Sequence, residues 1–151
     1  MNRVTFYELD AQAAATADAL QQGCFKLIFN LYKSRKWVSV ICANQVEAEK
    51  FDDLLWQSPT DRFIPHNLSG EGPAQGTPVE ITWQGKPLNS RHTVINMTQQ
   101  MLDTALNVQQ VIDFVPSQDD DKQAARERYK QYKQAGCQMQ FVKLTALDEN
   151  S

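Results

Sequence analysis

Residues 119–133 read DDDKQAARERYKQYK, a cation-rich segment in a chain whose formal net charge is −3. Wound as a helix, with Lys122 at the origin, the segment brings Arg126, Tyr129, Lys130 and Lys133 within about 80° of that lysine. A guanidinium fork flanked by ammonium groups is suited to holding carboxylates. The apolar pair Val115 and Pro116 stands just upstream. A cationic rim beside an apolar floor fits an acidic peptide with a hydrophobic end, in which charge orients the ligand and buried area holds it. A solvated helix face would account for the cations alone, but not for Tyr129 among them. On another side lie Ala124, Ala125, Tyr132 and Ala135, small enough to pack on a sheet, and on a third Gln123, Glu127, Gln131 and Gln134. Arg128 falls with the alanines and so needs a buried or edge partner. Asp119, Asp120 and Asp121 belong at the helix start, where carboxylates meet free N–H groups and the positive end of the dipole.

Catalytic constellations are harder to find. The loop SGEGPAQG has glycines but neither a following GK[ST] nor the GxGxxG spacing, and Pro73 removes a donor that a phosphate cradle would use. His66 and His92 form no HExxH or paired-ligand pattern, so no metal is assigned, and His66 is expected to hydrogen-bond its turn. Asp52 and Asp53 are adjacent and point to different sides of a helix, which prevents them from converging as acid and base. There is no GxSxG elbow and no Cys–His signature. The chain is read as a non-enzyme without a cofactor.

The composition agrees with one soluble α/β unit. At 151 residues, 42% hydrophobic and 22% charged, the chain can bury one core. No apolar run reaches the ~20 residues of a membrane span, and MNRVTFYELD lacks the apolar stretch of a signal peptide, so a cytoplasmic protein is expected. Cys24, Cys42 and Cys137 lie far apart and read as reduced, packed thiols. A pI near 5.3 disfavours direct DNA binding by the protein as a whole.

The elements that must position the segment follow from periodicity. VTFYEL (4–9) and WVSVICA (37–43) read as strands buried on both faces, with a helix over 14–35 between them, carrying Ala17, Leu20, Cys24, Leu27, Ile28 and Leu31 on one face. A crossover of this kind makes the strands parallel. Asn44 caps a helix NQVEAEKFDDLLWQ, with Glu47 completing a capping box. Residues 60–78 read as a loop shaped by turns, 79–83 as a strand, 92–97 as a further strand and 98–107 as a helix. A strand over 110–115, the basic helix stopped at Gly136 and a final strand over 138–144 complete the series. Strands alternating with helices give an α/β sandwich with a mostly parallel sheet. One domain over 1–144 and a frayed tail over 145–151 are expected.

Several motifs are more specific than these patterns. FYELD (6–10), LW (55–56), FIPHNLSGEGP (63–73), PVEITW (78–83), DFVP (113–116) and KQAARERYKQYKQAG (122–136) resemble, in order and spacing, the chi subunit family of bacterial DNA polymerase III. The resemblance implies a three-layer α/β/α sandwich, Rossmann-like but without a nucleotide site, that serves as a noncatalytic clamp-loader accessory. One surface would join the psi subunit, and another would hold the acidic C-terminal tail of single-stranded DNA-binding protein, which ends in Pro and Phe after several aspartates. Carried onto this chain, Arg126 would meet the terminal carboxylate, Lys122 and Lys130 the aspartates, and Val115 and Tyr129 the terminal Phe. For psi, the resemblance points to Trp56, Phe63, Pro65 and His66, with a core role for Trp56 left open. The rival reading is a module that binds single-stranded nucleic acid directly through the same stripe, its tyrosines stacking on bases.

Overall fold

The computed structural model describes residues 3–8, 17–57, 65–71, 76–86, 92–103, 108–115 and 119–143, apart from the side chains of 17–22. Its centre is a set of short β-branched runs. β1 (Arg3–Glu8) is buried over Val4, Thr5 and Phe6, and β2 (Val38–Cys42), β4 (Val79–Trp83), β5 (Thr93–Asn96) and β6 (Gln110–Val115) are almost wholly buried along their lengths. Burial on both faces is what near-continuous apolar strands require, and it favours parallel pairing covered by helices. The sheet has seven strands in the order β3-β4-β2-β5-β6-β1-β7, and every pair in it is parallel.

Strand periodicity sorts the core into two layers. Val40, Ile95 and Ile112 face α1 (Ala17–Lys33) and α2 (Gln45–Gln57), where they meet Cys24, Leu27, Ile28, Ala48, Phe51 and Leu55. Their neighbours Ile41, Val94 and Val111 face the other way, onto α3 (Asp119–Gln134), with Ala125 and Tyr132. Helices therefore cover both faces, and the three-layer sandwich is as expected. No described helix is long and apolar enough to cross a membrane.

Local signals explain the helix ends. Asn44 Oδ1 accepts the Glu47 N–H at 2.9 Å, the N-cap bond that the sequence predicts. Both α1 and α3 close with the paired bonds of a Schellman motif. At α3 these run from Gly136 N to Lys133 O (3.1 Å) and from Cys137 N to Tyr132 O (3.1 Å), with Gly136 at φ 91°. At α1 they run from Arg35 N to Tyr32 O (3.0 Å) and from Lys36 N to Leu31 O (2.9 Å). There an arginine occupies the left-handed position, at φ 59°.

Three expectations need correction. Residues 98–103 are not helical, and 104–107 lie outside the described residues. Turn chemistry wins locally: Asn96 Oδ1 accepts the Thr98 N–H (3.0 Å), Thr98 Oγ1 accepts the Gln100 N–H (3.1 Å), and the Leu102 N–H donates to the Tyr132 hydroxyl (2.8 Å). The 60–78 loop holds an unforeseen edge strand, β3 (His66–Leu68), parallel to β4. Ala135 is exposed beyond the end of α3, so it does not pack on the sheet. The final strand, β7 (Gln138–Lys143), pairs with β1 at the opposite edge. The tail expected over 145–151 lies outside the described residues.

Candidate functional site

β1, α3 and β7 enclose a groove. In the β1–β7 register Phe6 pairs with Phe141, and in the β1–β6 register Glu8 pairs with Val115. Phe6, Val115, Ala125, Tyr129 and Phe141 form an apolar floor and wall, and Lys122, Arg126 and Lys130 stand along the α3 side. The groove has a volume of about 520 Å³, which is within the range of small-ligand and peptide-end pockets. Tyr129 packs edge-on against Phe6, with ring centroids 5.3 Å apart. Its ring is therefore fixed as part of the wall. Phe141 is 48% exposed, a large apolar surface to leave in water.

All five tail-site residues named from the sequence, Lys122, Arg126, Lys130, Val115 and Tyr129, line this one groove. Lys133 shares their helical stripe but is not part of the groove lining. It sits in the last turn, where a cation complements the helix dipole. Lys130 lies 3.9 Å from Glu127 on the exposed surface, a pairing weak enough for another carboxylate to replace. Phe6, Phe141 and Glu8 were missed, because their approach depends on β7 lying beside β1 in register. Glu8 places one carboxylate among the cations and makes its end of the groove the less favourable one for an acid.

Arg128 fixes the rotation of α3. Its Nε and Nη2 donate to the two Asp113 oxygens at 3.0 and 3.1 Å, and its Nη1 donates to the Gln99 carbonyl at 3.2 Å. Asp113 also accepts the Phe114 N–H at 2.7 Å and the Asn96 side-chain amide at 3.3 Å. Burial pushes the Asp113 carboxyl above its ordinary pKa, against the pull of Arg128 and these N–H donors. The sequence expectation that Arg128 has a buried partner holds, with the DFVP aspartate as that partner. Tyr132 adds a second anchor: it is fully buried, and burial pushes its phenol up to about 12.

The second predicted group lies at the far edge. Trp56 is 56% exposed, so it has no plain core role, and its ring lies 4.7 Å from that of His66. His66 Nε2 is 3.4 Å from Asp52 Oδ1, so the imidazole faces α2. The Asp52 carboxyl is shifted up by burial, partly offset by His66. Pro65 is half-buried, and Phe63 lies outside the described residues. The turn is held instead by Asn67, whose amide donates to the Leu68 carbonyl at 2.7 Å and to the Glu71 carbonyl, while Thr77 Oγ1 donates to its oxygen. Among the described residues no three His, Cys, Asp or Glu side chains cluster as a metal site would need.

Solved structures with a similar fold include S. cerevisiae Dbp5 bound to RNA and ADP BeF3, with a TM-score of 0.64 and 11% identity over 99% of this chain. T4 UvsW gives 0.56 and 12% over 94%. The chain spans 43% and 41% of those two structures, and at such identities the likeness shows the fold alone. Among curated relatives, the DNA polymerase III subunit chi of Escherichia coli K12 is 40% identical over 90% of this chain and 94% of its own. That of Haemophilus influenzae is 39% identical over 87% and 90%, and that of Pseudomonas aeruginosa 29% over 95% and 98%. The family model described as DNA polymerase III chi subunit, HolC, matches residues 1–140. With that match and the near full-length identity, the chain belongs to the DNA polymerase III chi subunit family, the replication accessory subunits of that polymerase.

Proposed function

We propose that this chi-family chain is a noncatalytic adaptor that links the clamp loader, through psi, to the acidic C-terminal tail of single-stranded DNA-binding protein. The observation that carries the reading is the groove between α3 and β7, with its apolar floor and its rim of Lys122, Arg126 and Lys130. A peptide ending in Pro and Phe after aspartates would place the Phe ring against Val115, Tyr129 and Phe141. Its terminal carboxylate would meet Arg126, and its aspartates would extend along Lys122 and Lys130, away from Glu8. Many such tails crowd together on a coated strand, so raised effective concentration makes weak, salt-sensitive binding sufficient. Trp56, its ring tilted against that of His66, next to Pro65 and the β3 edge, is the surface proposed for psi.

Titration with a fluorescent peptide ending Asp-Asp-Ile-Pro-Phe tests the tail site. Saturable binding that weakens with salt and disappears without the final Phe is expected. Arg126→Ala should weaken it about tenfold or more, the usual value of a hydrogen bond between charged groups. If Arg126→Ala binds as wild type does, the site assignment fails.

A further inference from the structure

The amino-terminal ends of the parallel strands carry a second basic surface, well away from the tail groove. That groove uses Glu8 and Val115, the last residues of β1 and β6, whereas this surface is built from residues that precede β2 and β4. Tyr32, Trp37 and Pro78 form the walls of a concavity of about 590 Å³, and Lys33, Arg35 and Lys36 surround them. Trp37 is 39% exposed. Bonds from Val38 N to the Pro78 carbonyl (2.8 Å) and from Thr93 N to the Trp37 carbonyl (3.2 Å) hold this stretch against both flanking strands. Arg3 begins β1 at the same end of the sheet, and His92 stands just before β5. Burial first, and then the charges of Lys36 and Arg3, hold the His92 imidazole below its ordinary pKa, which places both cations in one local field. Among the described residues, Arg3, Lys33, Arg35 and Lys36 make no ion pair with a carboxylate.

The backbone adds a separate observation. α1 and α3 end in the same Schellman geometry, and α3 uses Gly136 at the left-handed position whereas α1 uses Arg35. A non-glycine side chain held there costs on the order of 1 kcal/mol. The folded state thus carries a cost that a glycine would remove, at the one residue that adds a guanidinium to the centre of this surface. Cations beside a partly exposed indole fit an unstacked base next to its phosphates. An acidic peptide with a hydrophobic end would call for a more apolar lining, such as Phe6, Val115, Ala125, Tyr129 and Phe141 give the tail groove.

We infer that Lys33, Arg35, Lys36 and Trp37 form a contact surface for single-stranded nucleic acid, with Trp37 stacking on a base and the cations meeting its phosphates. The acidity of the whole chain makes the contact weak and dependent on salt. It does not depend on the tail groove.

Fluorescence anisotropy of the full chain with a labelled oligothymidylate of about 12 nucleotides tests it, at about 50 mM and about 200 mM salt. Saturable binding that falls steeply with salt is expected, and Trp37→Ala or Arg35→Gly should each weaken it about tenfold. Arg35→Gly relieves the left-handed strain, so its thermal midpoint should equal or exceed that of wild type, and Arg126→Ala should leave oligonucleotide binding unchanged. Absence of saturable binding at the lower salt would overturn the inference, as would wild-type binding by Arg35→Gly. Binding of an aspartate-rich peptide here, sensitive to Arg35→Gly while the oligonucleotide does not bind, would reject nucleic acid as the occupant.

Discussion

Arg126 and Arg128 are two residues apart, a step that turns the second about 200° around the helix from the first. One is exposed on the groove rim, and the other is buried with its fork on Asp113. Identical side chains therefore carry opposite consequences. Arg128→Ala leaves the Asp113 carboxylate buried without its counter-ion, a change that costs about 3–5 kcal/mol at comparable sites. Arg126→Ala removes an exposed cation, and its effect on folding should stay within about 0.5 kcal/mol. Urea unfolding of the two variants side by side checks this, and equal midpoints would mean that Asp113 is not held by Arg128. The contrast was legible in the sequence, because Arg128 falls among the alanines on a helical projection. The partner's identity was not, since Asp113 is 15 residues away on a neighbouring element.

Side-chain hydrogen bonds fix α3 to its surroundings at two points, Arg128 on β6 and Tyr132 on the 98–103 segment. The second point makes a clean test. Tyr132→Phe keeps the packing of the ring but leaves the Leu102 N–H buried without its acceptor, a loss worth about 1–3 kcal/mol. Thermal unfolding should show the midpoint lowered by several degrees, while tail-peptide affinity stays near wild type. An unshifted midpoint would show that the 98–103 segment finds another acceptor. The same bond explains why this segment was misread as helix: its spacing is helical, but the side chains of Asn96 and Thr98 and the Tyr132 hydroxyl take up backbone groups that a helix would have paired internally. The buried strands and the Asn44 cap were legible because each is encoded within a few residues. β3 was not, because three residues with no alternation become a strand only by pairing with β4. The groove was half legible for the same reason. Its cations lie along one helix, whereas Phe6 and Phe141 meet only through the β1–β7 register.

At the scale of the whole molecule, the sheet separates the candidate surfaces. β3 and β7 are its two edges, six strand spacings or about 29 Å apart, with the Trp56 cluster near one and the tail groove at the other. A rigid spacer of that width depends on the central strands, and their stability has a pH signature. Cys24 on α1 and Cys42 on β2 are free, buried thiols in the core. Burial, and then the neighbouring Cys42, pushes the Cys24 thiol well above its ordinary pKa, while burial and then Glu47 push Cys42 up to about 12. In the unfolded chain both would titrate near about 8.5. Below that value both states keep their protons and the full stability is present. As the pH rises past it, the unfolded chain loses protons that the folded chain retains, so the equilibrium moves toward unfolding, by up to about 1.4 kcal/mol per pH unit for each thiol. Urea midpoints should therefore hold steady to about pH 8 and fall by about pH 9.5, before the folded thiols ionise. A Cys24→Ala, Cys42→Ala double variant has a lower midpoint because of the lost packing, but it should lose less stability over the same interval. Parallel curves for the two proteins would mean that the alkaline loss originates in other groups and that the core thiols do not set it.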